Sequence, residues 1–316
     1  MRILVTGGAG FIGSEFVRSL LQDEYAEFGL IPTEVIVIDA LTYAGNLENL
    51  KEISTDPRYK FVHGNITDFE LMLEISKSCD LLVNFAAESH VDRSIDNPSI
   101  FIETNVLGTY TVLEVAKRNN VKRVIQISTD EVYGSIESGS WDEDSPLQPN
   151  SPYSASKASA DLLARSYVNT YGLDVIVTRC CNNYGPYQHP EKLIPLLITK
   201  ILNGEDLPIY GDGKNIREWI HVSDHARAIA LLTVRGISGE IYNIGSNEEL
   251  SNIEIVEKII KTMKSEVSKI KFVADRIGHD FRYSLDSRKT GLIGFSAKTS
   301  FADNLPNLIS WYKENL

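Results

Sequence analysis

The residues with the clearest chemical potential lie close together near the middle of the chain. Tyr153-Ser-Ala-Ser-Lys157 places a phenol and an ammonium four residues apart, which on a helix is one face. Charge proximity lowers a phenol pKa from about 10, so Tyr153 is expected to serve as a base near neutrality. Ser128-Thr129 ends an apolar run upstream, where a hydroxyl can bind the substrate oxygen that Tyr153 serves, and Asp130 and Glu131 follow directly. Two close carboxyls repel, which favours one charged and one protonated member, an arrangement suited to paired base and acid work.

A hydride acceptor has its place at the start of the chain. Thr6-Gly7-Gly8-Ala9-Gly10-Phe11-Ile12-Gly13 follows a first strand and opens a helix. The glycines permit a tight turn and close backbone approach, and the helix N-terminus offers N–H groups to a pyrophosphate. Asp39 ends the second strand, where a ribose-binding acid belongs. Its charge disfavours a 2′-phosphate, so the expected cofactor is NAD rather than NADP. Asn65-Ile66 after the third strand should face the adenine. Phe85-Ala86-Ala87-Glu88-Ser89 after the fourth should pass beneath the ribose and nicotinamide.

Two carboxylates have no task in a plain alcohol oxidation. They acquire one if the transient product is a 4-ketosugar, because oxidation at C4 acidifies C5–H and leaves the C6 hydroxyl β to the carbonyl. One carboxylate then takes the C5 proton while the protonated partner gives a proton to the departing C6 oxygen. Return of the hydride to C6 leaves a net loss of water and no net redox change. A nucleoside diphosphate sugar needs cations for its pyrophosphate, and Arg217 and Arg282 are the best candidates, since guanidinium forks match phosphate oxygens. Glu88, Ser89 and His90 are placed to line the sugar pocket.

The elements that must position these groups alternate. Apolar β-rich runs occur at 2–6, 35–39, 60–63, 81–85, 123–128 and 174–179, with helical patterns between them at 11–22, 68–77, 99–119 and 153–171. Strands alternating with helices predict an α/β fold, a Rossmann-type doubly wound parallel sheet covered on both faces. After about Asn182 the rhythm changes: helices at 192–203, 223–234, 251–263 and 301–314 and strands at 240–244 and 269–273 predict a smaller α/β lobe. The expected division is an NAD-binding domain of residues 1–181 plus about 219–245, and a substrate domain of about 182–218 and 246–316.

Composition narrows the partners. With 316 residues, 43% hydrophobic and 23% charged, the chain is long enough for one large domain or two modest ones. A formal charge of −12 argues against nucleic acid as a partner. Cys79, Cys180 and Cys181 give neither a disulfide framework nor metal-ligand spacing, so no metal is expected; adjacent Cys180 and Cys181 read as small core residues. The cysteines fit a reducing cytoplasm, Met1 leads straight into a strand without room for a signal peptide, and no apolar run approaches the ~18 residues of a membrane span.

The glycine turn, strand-end Ser/Thr and Tyr-x3-Lys in this order resemble the extended short-chain dehydrogenase/reductase superfamily over essentially the whole chain. Within it, Ser128-Thr-Asp-Glu-Val-Tyr-Gly134, Asp39-Ala-Leu-Thr-Tyr-Ala-Gly-Asn46, Ala86-Ala-Glu-Ser-His-Val-Asp-Arg-Ser94 and Asn182-Asn-Tyr-Gly-Pro-Tyr-Gln188 are similar to the dTDP-glucose 4,6-dehydratase family. So are Lys192-Leu-Ile-Pro195, Tyr210-Gly-Asp-Gly213, Arg217-Glu-Trp-Ile-His-Val-Ser-Asp-His225 and Gly278-His-Asp-Phe-Arg-Tyr283. The resemblance implies that Tyr153 handles the C4 hydroxyl, Lys157 grips the nicotinamide ribose and lowers the Tyr153 pKa, and Thr129 orients the substrate. It further implies that Asp130 protonates the C6 hydroxyl and Glu131 removes the C5 proton. NAD would touch Gly7, Gly10, Phe11, Ile12, Gly13, Asp39, Thr42, Asn65, Ile66, Phe85, Ala86, Ala87 and Asn182 besides Tyr153 and Lys157. The nucleotide sugar, dTDP-glucose, would touch Ser89, His90, Asn183, Lys192, Leu193, Arg217, His279 and Arg282.

The two long helices at 99–119 and 153–171 are similar to the pair that builds a four-helix homodimer interface in this superfamily. Asn65 and Ile277 stand where the family usually has Asp and Pro, and the chain ends soon after its last helix. The rival readings are a UDP-sugar 4-epimerase, a UDP-glucuronate decarboxylase or a dehydratase acting on UDP-glucose. The first two need no acid at position 130. An NAD-sensing module without catalysis would be expected to have lost Thr129, Tyr153 or Lys157, and all three are intact.

Overall fold

Consecutive side chains of the buried strands enter different cores. Ile3, Val5, Val35, Val37, Leu81, Val83, Ile125 and Ile127 join one apolar cluster, whereas Leu4, Ile36, Ile38, Leu82, Val124, Val175 and Val177 join another. That alternation is the signature of a sheet covered on both faces. In the computed structural model, which describes residues 1–266, 269–275 and 278–315, seven parallel strands form this sheet. From one edge they run Ile241–Ile244, Val175–Cys180, Arg123–Thr129, Leu81–Asn84, Arg2–Thr6, Glu34–Asp39 and Tyr59–His63. The order reverses between Arg2–Thr6 and Leu81–Asn84, and the crevice at their carboxyl ends is where such sheets bind ligands. The fold class is therefore as expected.

Helices Phe11–Leu21 and Val222–Arg235 cover the first face through Phe16, Val17, Leu20, Ala226, Ile229 and Ala230. Met72, Val112, Ala164 and Tyr167 on three further helices cover the second. A third cluster, including Tyr184, Ile194, Leu197, Trp219, Ile255 and Phe301, is the core of the smaller lobe. There, Glu249–Ser251, Ile216–His221 and Asn182–Tyr184 form one small sheet, and Ile270–Val273 pairs with Leu207–Tyr210. Strand Ile241–Ile244 returns to the large sheet after the small-sheet strand Ile216–His221. Among the described residues, no helix is long and apolar enough to cross a membrane.

Several elements differ from expectation. The helix expected over 99–119 is interrupted: Pro98–Phe101 and Gly108–Arg118 are α-helical, with a π turn over Ile102–Leu107 between them. Strands Asn182–Tyr184, Leu207–Tyr210, Ile216–His221 and Glu249–Ser251 and the short helices Val91–Asp96 and Arg288–Leu292 were not apparent from periodicity. Ile277, where a family proline was expected, lies outside the described residues.

Candidate active site

A cavity of about 890 Å³ runs along the carboxyl ends of the large sheet, from the glycine turn to the strand end at Thr129. At one end, Gly7 has φ +65°, and a Cβ there would lie 2.6 Å from the Ala86 nitrogen. A Cβ on Gly13 would strike the Gly7 carbonyl oxygen. Gly10 begins helix Phe11–Leu21 without a side-chain cap, leaving its first turn facing the cavity. The chain is thus stripped of side chains where a dinucleotide pyrophosphate would pass, and the helix dipole favours an anion there. Asp39 lines this end; its carboxylate accepts from the backbone N–H of Ala9 at 3.0 Å and of Leu41 at 2.9 Å, and burial raises its pKa. Thr42, Asn65, Ile66, Phe85, Ala86, Ala87 and Asn182 line the same cavity. Asn65 Oδ1 is already engaged, accepting from the Thr67 N–H and hydroxyl at 3.0 Å each.

At the other end stand the groups expected to do chemistry. Helix Pro152–Tyr171 begins with a capping box in which the Ser151 and Ser154 side chains each bond the other's backbone N–H, with Pro152 in its first turn. This fixes Tyr153 and Lys157 at the helix start, against the end of strand Arg123–Thr129. Thr129, Asp130, Glu131, Tyr153 and Lys157 all line the cavity. Thr129 Oγ1 caps the short 3₁₀ turn that follows, accepting from the Glu131 N–H at 3.3 Å, and donates to Asp130 Oδ1 at 3.1 Å. Asp130 is 2% exposed, and burial pushes its pKa well above the ordinary carboxyl range, with Glu131 adding to the shift. A carboxyl shifted in this direction is suited to the acid role in the elimination.

The expected depression of the Tyr153 pKa does not occur. Burial drives the phenol further up and Glu131 adds to this, while the hydrogen bond with Thr129 opposes it. The physical reason is desolvation of the phenol itself, and Lys157 is spent elsewhere. Its Nζ donates to the Ile127 carbonyl at 2.5 Å, and burial pulls its own pKa down to about 8, against the attraction of Asp161.

Ser89, Asn183 and Lys192 also line the cavity, and Lys192 Nζ donates to the Ser89 carbonyl at 3.1 Å. The remaining expected substrate contacts lie away from its walls. Leu193 is the first residue of helix Leu193–Leu202, and His90 sits 3.9 Å from both Asp92 and Glu191. His279 pairs with Asp275 at 2.7 Å. Arg217 donates to the carbonyls of Ile216, Asp280 and Phe281 and lies over the Tyr283 ring. Arg282 holds both Glu249 oxygens at 2.7 Å and the Gly139 carbonyl at 2.9 Å.

Sequence reasoning missed several residues at the site. Cys180 and Cys181 are buried as expected, yet they also form part of the cavity floor with His225. Asn183 links Cys180 Sγ at 3.4 Å to His225 Nδ1 at 2.8 Å. Asn105, in the π turn, accepts from the Glu88 N–H and donates to the Glu88 carbonyl and to Ser156 Oγ, tying the nicotinamide segment to the catalytic helix. An Asn inside an apolar helical stretch was the available signal, since π turns concentrate at functional sites.

Residues 4–307 match the family described as GDP-mannose 4,6 dehydratase. A dTDP-glucose 4,6-dehydratase from Streptomyces niveus is 52% identical, over 100% of this chain and 94% of the relative. The crystal structure of DesIV, a dTDP-glucose 4,6-dehydratase from Streptomyces venezuelae solved with NAD bound, superposes with a TM-score of 0.98 at 57% identity, covering 100% of this chain and 98% of that one. A UDP-glucose 4-epimerase from Thermotoga maritima shares the fold, with a TM-score of 0.90, at only 28% identity over 100% of this chain and 99% of that one. With full-length identity of about half to such enzymes, the chain belongs to the dTDP-glucose 4,6-dehydratase family.

Proposed function

We propose that this chain dehydrates dTDP-glucose to dTDP-4-keto-6-deoxyglucose and regenerates its NAD in each cycle, making it a hydro-lyase. The observation that carries the reading is the buried Asp130, its carboxyl pKa raised by burial, beside Glu131 at the end of the strand that delivers Thr129. An epimerase has no use for that acid, and a dehydrase cannot work without one.

The glycine turn and Asp39 would hold the dinucleotide, with Lys157 on the nicotinamide ribose. When bound, NAD supplies a cationic ring that accepts the C4 hydride and later returns it to C6. Lys157, together with the positive charge such a ring would bring, would offset the burial that raises the Tyr153 pKa. Thr129 then orients the C4 hydroxyl while Tyr153 removes its proton, so that C4–O becomes a carbonyl as its hydride leaves. Glu131 takes the acidified C5 proton, and the electron pair forms C5=C6 as the C6–O bond breaks. Asp130 supplies the proton that lets the oxygen leave as water. As hydride returns to C6, the C5 carbon is reprotonated, with Glu131 the nearest donor in this scheme.

The cofactor half comprises residues 1–181 and about 219–245, the substrate half the remainder. Exposed Ile102, Leu107 and Tyr110 on the interrupted helix and Leu162 on helix Pro152–Tyr171 support a homodimer through a four-helix interface. Three free, buried cysteines support a cytoplasmic setting.

The direct test is to incubate purified protein with dTDP-glucose and no added NAD, then follow the alkali-induced absorbance of the 4-ketosugar. Appearance of that chromophore with solvent deuterium at C5 is expected. Formation of dTDP-galactose alone, or no turnover, contradicts the assignment.

A further inference from the structure

A short segment of the substrate half, residues 185–191, is anchored to the cofactor half at three points. Arg18, on the helix that the glycine turn opens, lies under the Tyr187 ring with its guanidinium carbon 4.2 Å from the centroid. His189 meets the Tyr43 ring edge-on at 5.6 Å. Glu191 accepts from Arg93 at 3.0 Å, and Arg93 in turn lies 3.9 Å over the Tyr43 ring. Tyr43, Tyr187, Gln188 and His189 all line the cavity that contains Gly7–Gly13 and Asp39.

Both sides of this strap are themselves held. Tyr312 donates its hydroxyl to the Gly185 and Gln188 carbonyls at 3.2 Å, and Trp311 packs edge-on to Tyr187 at 4.8 Å. On the cofactor side, Arg18 donates to the Asn49 carbonyl at 2.7 Å, and Asn49 donates to the Ala9 carbonyl inside the glycine turn at 2.9 Å. The contacts therefore run without interruption from the pyrophosphate turn through Arg18 to Tyr187. Tyr187 has φ +65°, a left-handed conformation that a non-glycine residue adopts at a cost, so the fold places this ring over Arg18 against local preference.

We infer that Tyr187, seated on Arg18 and flanked by the Tyr43–His189 contact, is a clasp that retains the dinucleotide between turnovers. A dinucleotide reaching from Asp39 to Tyr153 would pass beneath the strap and could leave only after the strap lifts. Asn183 and Lys192 line the cavity on the substrate-lobe side, and a sugar nucleotide entering past them would let product depart while NAD stays. The inference rests on the reading that NAD is regenerated in place, because only then does slow release serve the reaction.

The test is the rate at which purified, NAD-loaded protein loses dinucleotide into a large excess of buffer without any sugar present. Tyr187→Gly removes the ring at a φ that glycine adopts freely, so the backbone is relieved rather than strained. Its NAD release should be about tenfold faster, the scale of one lost cation–π contact in a desolvated site. Tyr187→Phe keeps the ring and should retain NAD as the unaltered chain does. Arg93→Ala, at the other end of the strap, should also speed release. Turnover by Tyr187→Gly should decay without added NAD and recover with it. Equal release from Tyr187→Gly and the unaltered chain overturns the clasp, as does an unaltered chain that loses NAD within the dead time. Because release is read without sugar, a chain that held NAD but did not dehydrate dTDP-glucose would contradict the reaction and leave the clasp standing.

Discussion

The two ends of the substrate path are built differently. At the catalytic end, Thr129, Asp130, Glu131, Tyr153 and Lys157 converge on one cavity wall from a strand end and a capped helix start, with the Asp130 pKa raised by burial. At the proposed nucleotide end, Arg217, Arg282 and His279 do not line that cavity, and each is engaged with a partner in its own chain. Groups on a rigid sheet edge are preorganised by backbone geometry. Arg217, on strand Ile216–His221, and His279 and Arg282, outside the strands, satisfy their charges locally until a stronger anion arrives. The catalytic groups are thus held in place by backbone geometry, whereas the proposed substrate grip requires exchange of partners.

The largest expected effect breaks the catalytic end. Asp130→Asn should lower kcat for water loss by about 10²–10⁴, the usual contribution of a positioned acid, while NADH absorbance still appears on mixing with dTDP-glucose. If no NADH accumulates, Asp130 acts in oxidation and its role here is wrong. In the unaltered chain, dehydration should fade as the pH rises through the elevated Asp130 pKa, since the acid is then lost.

A smaller effect sharpens the other end. Arg217 gives up carbonyl acceptors and its place over the Tyr283 ring on turning toward a pyrophosphate, whereas Arg282 must leave a bidentate carboxylate. Arg217→Ala should therefore raise KM by about tenfold, the size of one charge-assisted contact, with kcat little changed. Arg282→Ala should raise KM less. The reverse ranking in steady-state kinetics would show that the Glu249 pair opens on binding.

The smallest effect is on stability. Lys157 has its pKa lowered to about 8 by burial, so its contribution is full above the unfolded value and lost as pH falls through about 8. At neutral pH the buried ammonium is destabilising. Lys157→Met should be inactive yet melt a few degrees higher than the NAD-free unaltered chain at pH 7, with the gap closing in alkaline buffer. A lower melting temperature at pH 7 would mean that the Ile127 and Asp161 contacts outweigh desolvation.

The same contrast explains what could be read from sequence. Gly7–Gly13, Thr129–Glu131 and Tyr153–Lys157 were legible because backbone constraints and strand or helix periods dictate where those residues point. Strand Ile216–His221 was not, because Arg217 and Glu218 interrupt its apolar pattern. Glu218 is nonetheless buried, its carboxylate accepting from the N–H groups of Ser246, Asn247 and Leu285, all distant in sequence. Cys180 and Cys181 were legible as buried but not as cavity floor, since which side a cavity lies on is a tertiary fact. The Tyr153 expectation failed for a related reason: four-residue spacing gives proximity but not the desolvation of both partners.

The central claim is that the hydride leaves C4 and returns to C6 of the same sugar. Supplying dTDP-glucose deuterated at C4 and analysing the product by NMR tests it directly. The account predicts deuterium at C6 and a solvent-derived hydrogen at C5. Deuterium retained at C4, or lost to solvent or to free NADH, would contradict it.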